Sequence, residues 1–500
     1  MTALDQPARH ADGPERPPRR VPFPVVDEVS RHCLQEEEPE TVHIEVHLPG
    51  TPDPARLRAA FTEALRRHPR ILMREARGPW YRRRYEWELT ADPDVEVVTF
   101  PAPERDALKK ARTRSLSEAP PLSVSPPIRL EVIASEEAAV TSGGAAAGAG
   151  GAGAGGAGAG GASAPGTGVD SASPGPAASP GAGAERPAGR GSVLFLTINH
   201  TALDGPACLR VLATAAELYG GQDNSPAAPP LRTASSPEPE SAVDAGEAPS
   251  GWAPPARVSR GTPEPSPGNG MLVSELAVPR RPKGAPFTVN DQLMVATALM
   301  IAHWNREHGA RPKPFRITMP VDDRPRSMEM PIGNGTRLVE VPFSAAELTA
   351  EEWGPAEIGD LLRRTAERTR ALKALSRPQL GRGAALLTSP VLPVTLRAAV
   401  TRGLRRAAAP WTSTTLLSNI GRVPYSLDFG DAGRAHAVWF SAPARLPRGL
   451  TVTTASTAGR LHVALRWSKT LLSSGDGAHL RDLFEHYLHA TEHTEEGKTP

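Results

Sequence analysis

Residues 143–162 read GGAAAGAGGAGAGGAGAGGA, glycine and alanine without exception. Such a run buries too little apolar surface to offset the entropy of ordering it. Flanking Ser, Pro and Gly extend the bias from about 135 to 190, so the whole segment is expected to be disordered. It constrains the fold, because whatever lies on either side must be able to pair across it. A second biased stretch, roughly 222–270, is rich in Pro, Ser, Glu and Gly and reads as a crossover linker. With 54 Pro and 46 Gly among 500 residues, much of the chain does not form core. The remaining roughly 400 residues suit two domains of about 200 each. The expected organisation is a disordered arm (1–21), a first lobe (22–221) carrying the 135–190 insertion, a linker (222–270), a second lobe (271–490) and a tail (491–500).

The Gly/Ala segment also matches G-x-G-x-x-G, for example at Gly151, Gly153 and Gly156. A dinucleotide loop needs a strand before it, an amphipathic helix after it and an acid about 20 residues on. None is here, so the match is composition alone.

The 57 basic and 55 acidic residues leave a net charge of +2, and no strong overall field favours nucleic acid or an anionic membrane. Only Cys33 and Cys208 are present, too few for a disulfide framework and without metal-ligand spacing. Both are expected to be buried thiols in a reducing compartment. The N-terminus lacks the apolar core of a signal peptide, and no apolar run approaches the ~20 residues that span a bilayer. A cytoplasmic, soluble protein is the expectation.

In the first half, VHIEVHLP (42–49) alternates Val42, Ile44, Val46 and Leu48 against His43, Glu45 and His47, the period of a half-buried strand. The His-x-Glu-x-His face offers three metal-ligand types, but no fourth is identifiable, so a solvated sheet face is expected. Asp53-Pro54 opens a helix carrying Leu57, Ala60, Phe61, Ala64 and Leu65. IRLEVI (128–133) and SVLFLTIN (192–199) read as strands, which can still pair if the biased segment sits at their hairpin tip, since closure entropy grows only logarithmically with loop length. That tip then lies about 25 Å from His200.

The second half opens with strand material, MLVSELAV, and then a long helix, VNDQLMVATALMIAHWNREHG, with Asn290 or Asp291 as its expected cap. FRITMPVDD, RLVEVPF, TTLLSN, HAVWFSAP, LTVTTAST and LHVALRWS read as strands, and 476–490 as a closing helix. His486, His489 and His493 fall on the wet side of that helix, opposite Leu483, Phe484, Tyr487 and Leu488.

The chemistry concentrates in VLFLTINHTALDGPACLRVL (193–212). Strand alternation puts Leu194, Leu196, Ile198 and His200 on one face and Val193, Phe195, Thr197 and Asn199 on the other. His200 then stands at a strand end, and Asp204, Gly205 and Pro206 open a helix that continues to Gly220-Gly221. A histidine held there by a tight turn can be kept neutral and oriented, as a general base requires. Asp204 can fix the turn, and Gly205 permits close approach of a ligand.

His200, Asp204 and Gly205 form H-x-x-x-D-G, and on this motif the chain resembles the superfamily of condensation domains and CoA-dependent acyltransferases. LRAAFTEALRRHPR, PPIRLEVI, TVNDQLMVATAL, PIGNGTRLVEVPF, LLSNIGRVPYSLDFGDAG and VWFSAP agree with it, extending the resemblance over roughly 22–134, 191–221 and 270–490. It departs at Asn199, where condensation domains usually have a first histidine, and at SLDFGDAG (426–433), which keeps only the start of the DFGWG box. The resemblance implies a mixed α/β (α+β) fold of two chloramphenicol-acetyltransferase-like lobes in a V, with His200 in the tunnel between them. It implies a freestanding, monomeric acyltransferase using an acyl-CoA or carrier-protein phosphopantetheine thioester as co-substrate, with no bound cofactor and no metal. The acceptor would be a small alcohol or amine. With the Ala, Arg, Pro and Gly-rich composition, the setting would be actinobacterial specialised metabolism. His200 would be the base, Asp204 a structural residue facing an arginine not identifiable in the sequence, and Ser418 and Asn419 candidate oxyanion donors. Amide-forming condensation and a non-catalytic recruiting module remain alternatives.

Overall fold

The strands flanking the Gly/Ala segment are neighbours in the computed structural model, which describes residues 19–34, 38–135, 191–225, 253–325, 327, 329–350, 353–375 and 387–492. In chain order the elements are β1 (Arg20–Pro22), α1 (Val25–His32), β2 (Thr41–Leu48), α2 (Pro54–Arg67), β3 (Met73–Glu75), β4 (Glu86–Leu89), β5 (Val98–Thr99), α3 (Ala107–Ser117), β6 (Ile128–Ser135), β7 (Gly191–Asn199) and α4 (Gly205–Gly220). The second half contributes β8 (Asn269–Ala277), α5 (Val289–Glu307), β9 (Phe315–Asp322), β10 (Thr336–Phe343), α6 (Pro355–Ala374), α7 (Val394–Ala408), β11 (Thr415–Arg422), β12 (Ala437–Ser441), β13 (Leu450–Thr457), β14 (Arg460–Ser468) and α8 (Ser474–Ala490). Strands β6 and β7 pair antiparallel from Ile128 opposite Ile198 to Ser135 opposite Gly191, which places residues 136–190 at the hairpin tip. The expected disorder of that segment lies outside the described residues, as do most of the arm, linker residues 226–252 and the tail from 493. Arg20–Pro22, at the end of the expected arm, form β1.

The described residues form three sheets, with strand orders β1-β4-β3, β12-β2-β7-β6-β5 and β10-β9-β11-β13-β14-β8. Helices α2 and α4 cover one face of the five-stranded sheet, burying Leu57, Phe61 and Leu65 against Leu194, Leu196, Ile198 and Leu212. Fully burying each such side chain contributes about 1.5–3 kcal/mol. The second core joins α5, α6 and α8 to the six-stranded sheet and takes in Ala256 and Val258, so the last part of the expected linker is packed chain. Strand β12 belongs to the second half in sequence but adds to the first-half sheet, with Val438 opposite Val46.

Two expectations are corrected. The cap of α5 is Thr288, which forms a capping box with Asp291; Asn290 and Asp291 are already helical. The His43-Glu45-His47 face is covered rather than solvated. Helix α3 lies over it, and Arg112 Nε and Nη2 donate to the two Glu45 oxygens at 2.8 and 2.7 Å. Burial pushes the Glu45 carboxyl up, but hydrogen bonds from Arg112, His43 and His47 outweigh it and hold the group well below the usual carboxylate range. Alternation revealed the two faces of β2; that both are packed depends on α3, which the strand pattern does not specify. Cys33 and Cys208 are buried free thiols, as expected. His486 and His489 are exposed, and His493 lies outside the described residues.

Candidate active site

Strand β7 sends Leu194, Leu196 and Ile198 into the α2/α4 core, and Val193 and Phe195 into a smaller cluster with Ala111 and Ile133 beneath α3. With both faces filled, the chain turns at its end. The His200 amide donates to the Glu40 carbonyl at 2.8 Å, and Nδ1 lies 3.0 Å from the Leu203 carbonyl. A carbonyl only accepts, so Nδ1 is the nitrogen that donates, and Nε2 is the acceptor nitrogen of the neutral ring. The half-buried ring lines a cavity of about 660 Å³ whose walls come from both halves, among them Val29, Leu209, Met319, Ser418, Ile420 and Tyr425.

Asp204 caps α4, Oδ1 accepting from the Ala207 amide at 3.0 Å. Its other oxygen accepts from Arg324 Nη2 and from the Gly335 amide, both at 2.8 Å. Arg324 also pairs with Asp322 through Nε at 2.8 Å and donates to the carbonyls of Pro331 and Gly333 at 3.1 Å. Burial lowers the Arg324 guanidinium, but the hydrogen bonds to Asp322 and the charges of Asp204 and Asp322 outweigh it and raise it above its ordinary range. Arg324 is thus the arginine that faces Asp204. Its only sequence signal was its place after the VDD strand end; the bond spans 120 residues. A Cβ at Gly335 would overlap the Arg324 guanidinium, and one at Gly205 would meet the Phe440 ring at 3.4 Å, so both glycines allow close packing.

A second pair escaped the sequence reading. Asn334 Nδ2 reaches the carbonyls of His200 (3.2 Å) and Thr201 (3.0 Å) and Asp27 Oδ1 (3.0 Å). Trp87 Nε1 donates to the other Asp27 oxygen at 2.8 Å. Burial raises the Asp27 carboxyl from 3.8 to about 6, against the opposing hydrogen bonds of Asn334 and Trp87.

Asn199 does not line the cavity. Its amide donates to the Pro120 carbonyl at 2.9 Å and accepts from the Thr201 amide at 3.0 Å, so it braces the turn. Ser418 and Asn419 both line the cavity. Asn419 is committed to a β-bulge, its carbonyl accepting from Gly421 N (2.8 Å) and Thr454 Oγ1 (3.1 Å) and its amide donating to Asn290. Strands β9 and β11 pair only at Thr415–Ile317 and Leu416–Thr318, and beyond those pairs Met319–Asp322 and Ser418–Gly421 face the cavity. The SLDFGDAG segment packs elsewhere, against the end of α4, where a Cβ on Gly220 would meet the Asp428 carbonyl at 2.8 Å. Arg405, Arg445 and Arg448 line one side of the cavity, where Arg445 pairs with Glu40, itself a lining residue. Burial pushes the Arg448 guanidinium down to about 10, and its Nε donates to Ser413 Oγ at 2.9 Å.

The structure is similar to the condensation domain of the monacolin K polyketide synthase MokA, with a TM-score of 0.55 and 12% identity over 95% of this chain and 97% of that one. The fold is that of condensation domains and CoA-dependent acyltransferases. It is equally similar to the trichothecene 15-O-acetyltransferase of Fusarium sporotrichioides, at TM-score 0.57 and 11% identity over 94% of this chain and 95% of that one. The wax ester synthase/diacylglycerol acyltransferase of Marinobacter aquaeolei gives 0.51 and 15% over 94% and 98%. No family model matches the chain. Two uncharacterized proteins of Mycobacterium tuberculosis, one from each of two strains, are 30% identical over 282 residues, which is 51% of this chain. The chain spans 62% of the length of these curated relatives.

Proposed function

We propose that the protein is an acyltransferase that moves an acyl group from a CoA or carrier-protein thioester to a hydroxyl or amine, with His200 as general base. The observation that carries this reading is the His200 ring itself. Its Nδ1–H is held by the Leu203 carbonyl, and it borders a cavity of about 660 Å³. In the first step Nε2 takes the proton of the acceptor O–H or N–H while that oxygen or nitrogen attacks the thioester carbonyl. As the tetrahedral intermediate collapses, the C–S bond breaks and the thiolate recovers the proton from the imidazolium. The thiolate leaves readily, so no covalent enzyme intermediate is needed, and a positioned base contributes about 10² to 10⁴-fold. Ser418, whose hydroxyl is not spent on a bulge, is the better oxyanion candidate of the two named from sequence.

Asp204 acts through position. Its ion pair with Arg324 fixes the start of α4 to the end of β9 and so holds the turn bearing His200. Arg405 and Arg448 at the cavity wall suit the phosphates of either donor. The solved acyltransferases and condensation domains of this fold support the reaction class. A recruiting module would need neither the oriented ring nor the cavity.

The test is thiol release coupled to mass spectrometry, with the protein and its His200→Ala variant offered a panel of acyl-CoA and acyl-carrier-protein donors and an extract of acceptors. Acylated product from the unaltered protein alone supports the reading, and the donor that works separates CoA from carrier protein. Equal silence from both proteins, with carrier-protein binding retained, overturns it in favour of the recruiting module.

A further inference from the structure

Helix α7 is amphipathic in the reverse of the usual sense. Its packed side, toward α1, carries Val394, Arg397, Ala398 and Thr401, all buried. Arg397 pairs there with Glu28 at 2.6 Å and donates to the Ser389 carbonyl at 2.6 Å. Its large aliphatic residues point outward: Leu396 is 48% exposed, Val400 43% and Leu404 51%. The spacing of four residues stacks them in one stripe, with Ala399, Gly403 and Ala407 exposed between them. Trp411, just past the helix, continues the stripe at 43% exposure, and Leu392 precedes it at 42%. A contiguous apolar face of this kind is not left bare in water without a partner.

The charge around the stripe says which partner. Helix α7 carries Arg397, Arg402, Arg405 and Arg406 and no Asp or Glu, in a chain whose net charge is only +2. Arg406 is exposed beside the stripe and Arg402 is exposed at the edge nearer α1, where Nη1 reaches the His32 carbonyl at 3.5 Å; neither forms an ion pair among the described residues. A helix with a continuous apolar face, arginines at its border, no acid and a tryptophan at its end has the composition of a segment that lies in a lipid headgroup layer. We propose that α7 docks the protein on an anionic lipid surface, with Leu396, Val400, Leu404 and Trp411 in the acyl boundary and Arg402 and Arg406 on the lipid phosphates. Arg405 of the same helix and nearby Leu446, itself 41% exposed, line the cavity, so docking would bring its mouth to the lipid surface. No helix among the described residues is long and apolar enough to cross a membrane, and docking of this kind requires none. The inference does not depend on the chemistry at His200.

Sedimentation of the full chain with vesicles tests it, using phosphatidylcholine alone and an equal mixture of phosphatidylcholine and phosphatidylglycerol. The expected result is binding to the mixed vesicles about tenfold or more above that to phosphatidylcholine, since each arginine near such a surface is worth roughly fivefold. Raising the salt should weaken it. A combined Leu396→Ser, Val400→Ser and Leu404→Ser variant should lose binding while keeping its melting temperature, because the altered side chains are exposed. Arg402→Gln with Arg406→Gln should retain weak binding and lose the preference for the anionic lipid. The proposal is overturned if neither vesicle is bound or the serine variant binds as well as the original. It is also overturned if size-exclusion shows that the serine changes dissolve a dimer, or if an acidic carrier protein, and not the vesicles, is held by this face.

Discussion

Strands β2 and β7 lie side by side, and each bears histidine near a buried carboxylate held by an arginine, yet only one of the two places borders open space. In β2, His43 and Glu45 sit mid-strand; His43 lies 3.5 Å from Glu45, whose oxygens are taken by Arg112, and α3 closes the face. Burial lowers the His43 imidazole below its ordinary value. At the end of β7, His200 stands where the strand stops, beside a carboxylate whose arginine comes from the other half of the chain. Chemistry needs a group that is both oriented and reachable, and a strand end beside a cavity supplies both where a mid-strand position under a helix supplies only the first.

The largest effect expected from this contrast is at His200. His200→Ala should lower turnover by about 10² to 10⁴-fold with little change in melting temperature, whereas His43→Ala should leave the chemistry of the folded protein intact and lower its stability. Parallel kinetics and thermal melts of the two variants check this. Glu45→Ala should cost about 1–3 kcal/mol, because it removes the carboxylate that Arg112 of α3 bonds through two nitrogens, and denaturant titration measures it. If that change were neutral, the β2 face would not be the closed structural site described above.

Asp27 sharpens the comparison through pH. Its folded value of about 6 lies above its ordinary 3.8, so between these pH values the folded state holds a proton the unfolded chain has released. Stability from this group is therefore greatest below about 4, declines as pH rises to about 6 and is level above, a loss of up to about 3 kcal/mol. Asp27→Asn should flatten that decline in urea titrations at pH 5 and pH 7. Asp204→Asn should cost about 1–3 kcal/mol, since it keeps the cap oxygen but weakens the bond to Arg324. It should also reduce turnover less than His200→Ala, as expected of a positioning residue. The smallest effect is expected at Asn199→Ala, about 1 kcal/mol for the turn brace and no change in the pH dependence of turnover.

Local patterns were legible where they obey short-range rules. The 54–67 helix cap, the Asp204 cap and the β6–β7 hairpin follow from side-chain reach of a few residues and from the period of a strand. Helix α7 escaped because its apolar stripe does not face a core, and β12 read as a strand without revealing which sheet it would join. Arg324, Asn334 and Asp27 escaped because no local pattern marks a bond formed across more than a hundred residues.

By itself, then, the sequence determined ten of the strands, four of the helices and the position of His200 at a strand end. These depend on propensity, periodicity and capping, which act over a turn or a few strand positions. Only the tertiary structure decided that Glu45 is sealed while His200 is open, that Arg324 answers Asp204, and that α7 turns its leucines outward. Those outcomes depend on which distant surfaces meet, and burial and ion pairing take their strength from that meeting rather than from the residues alone.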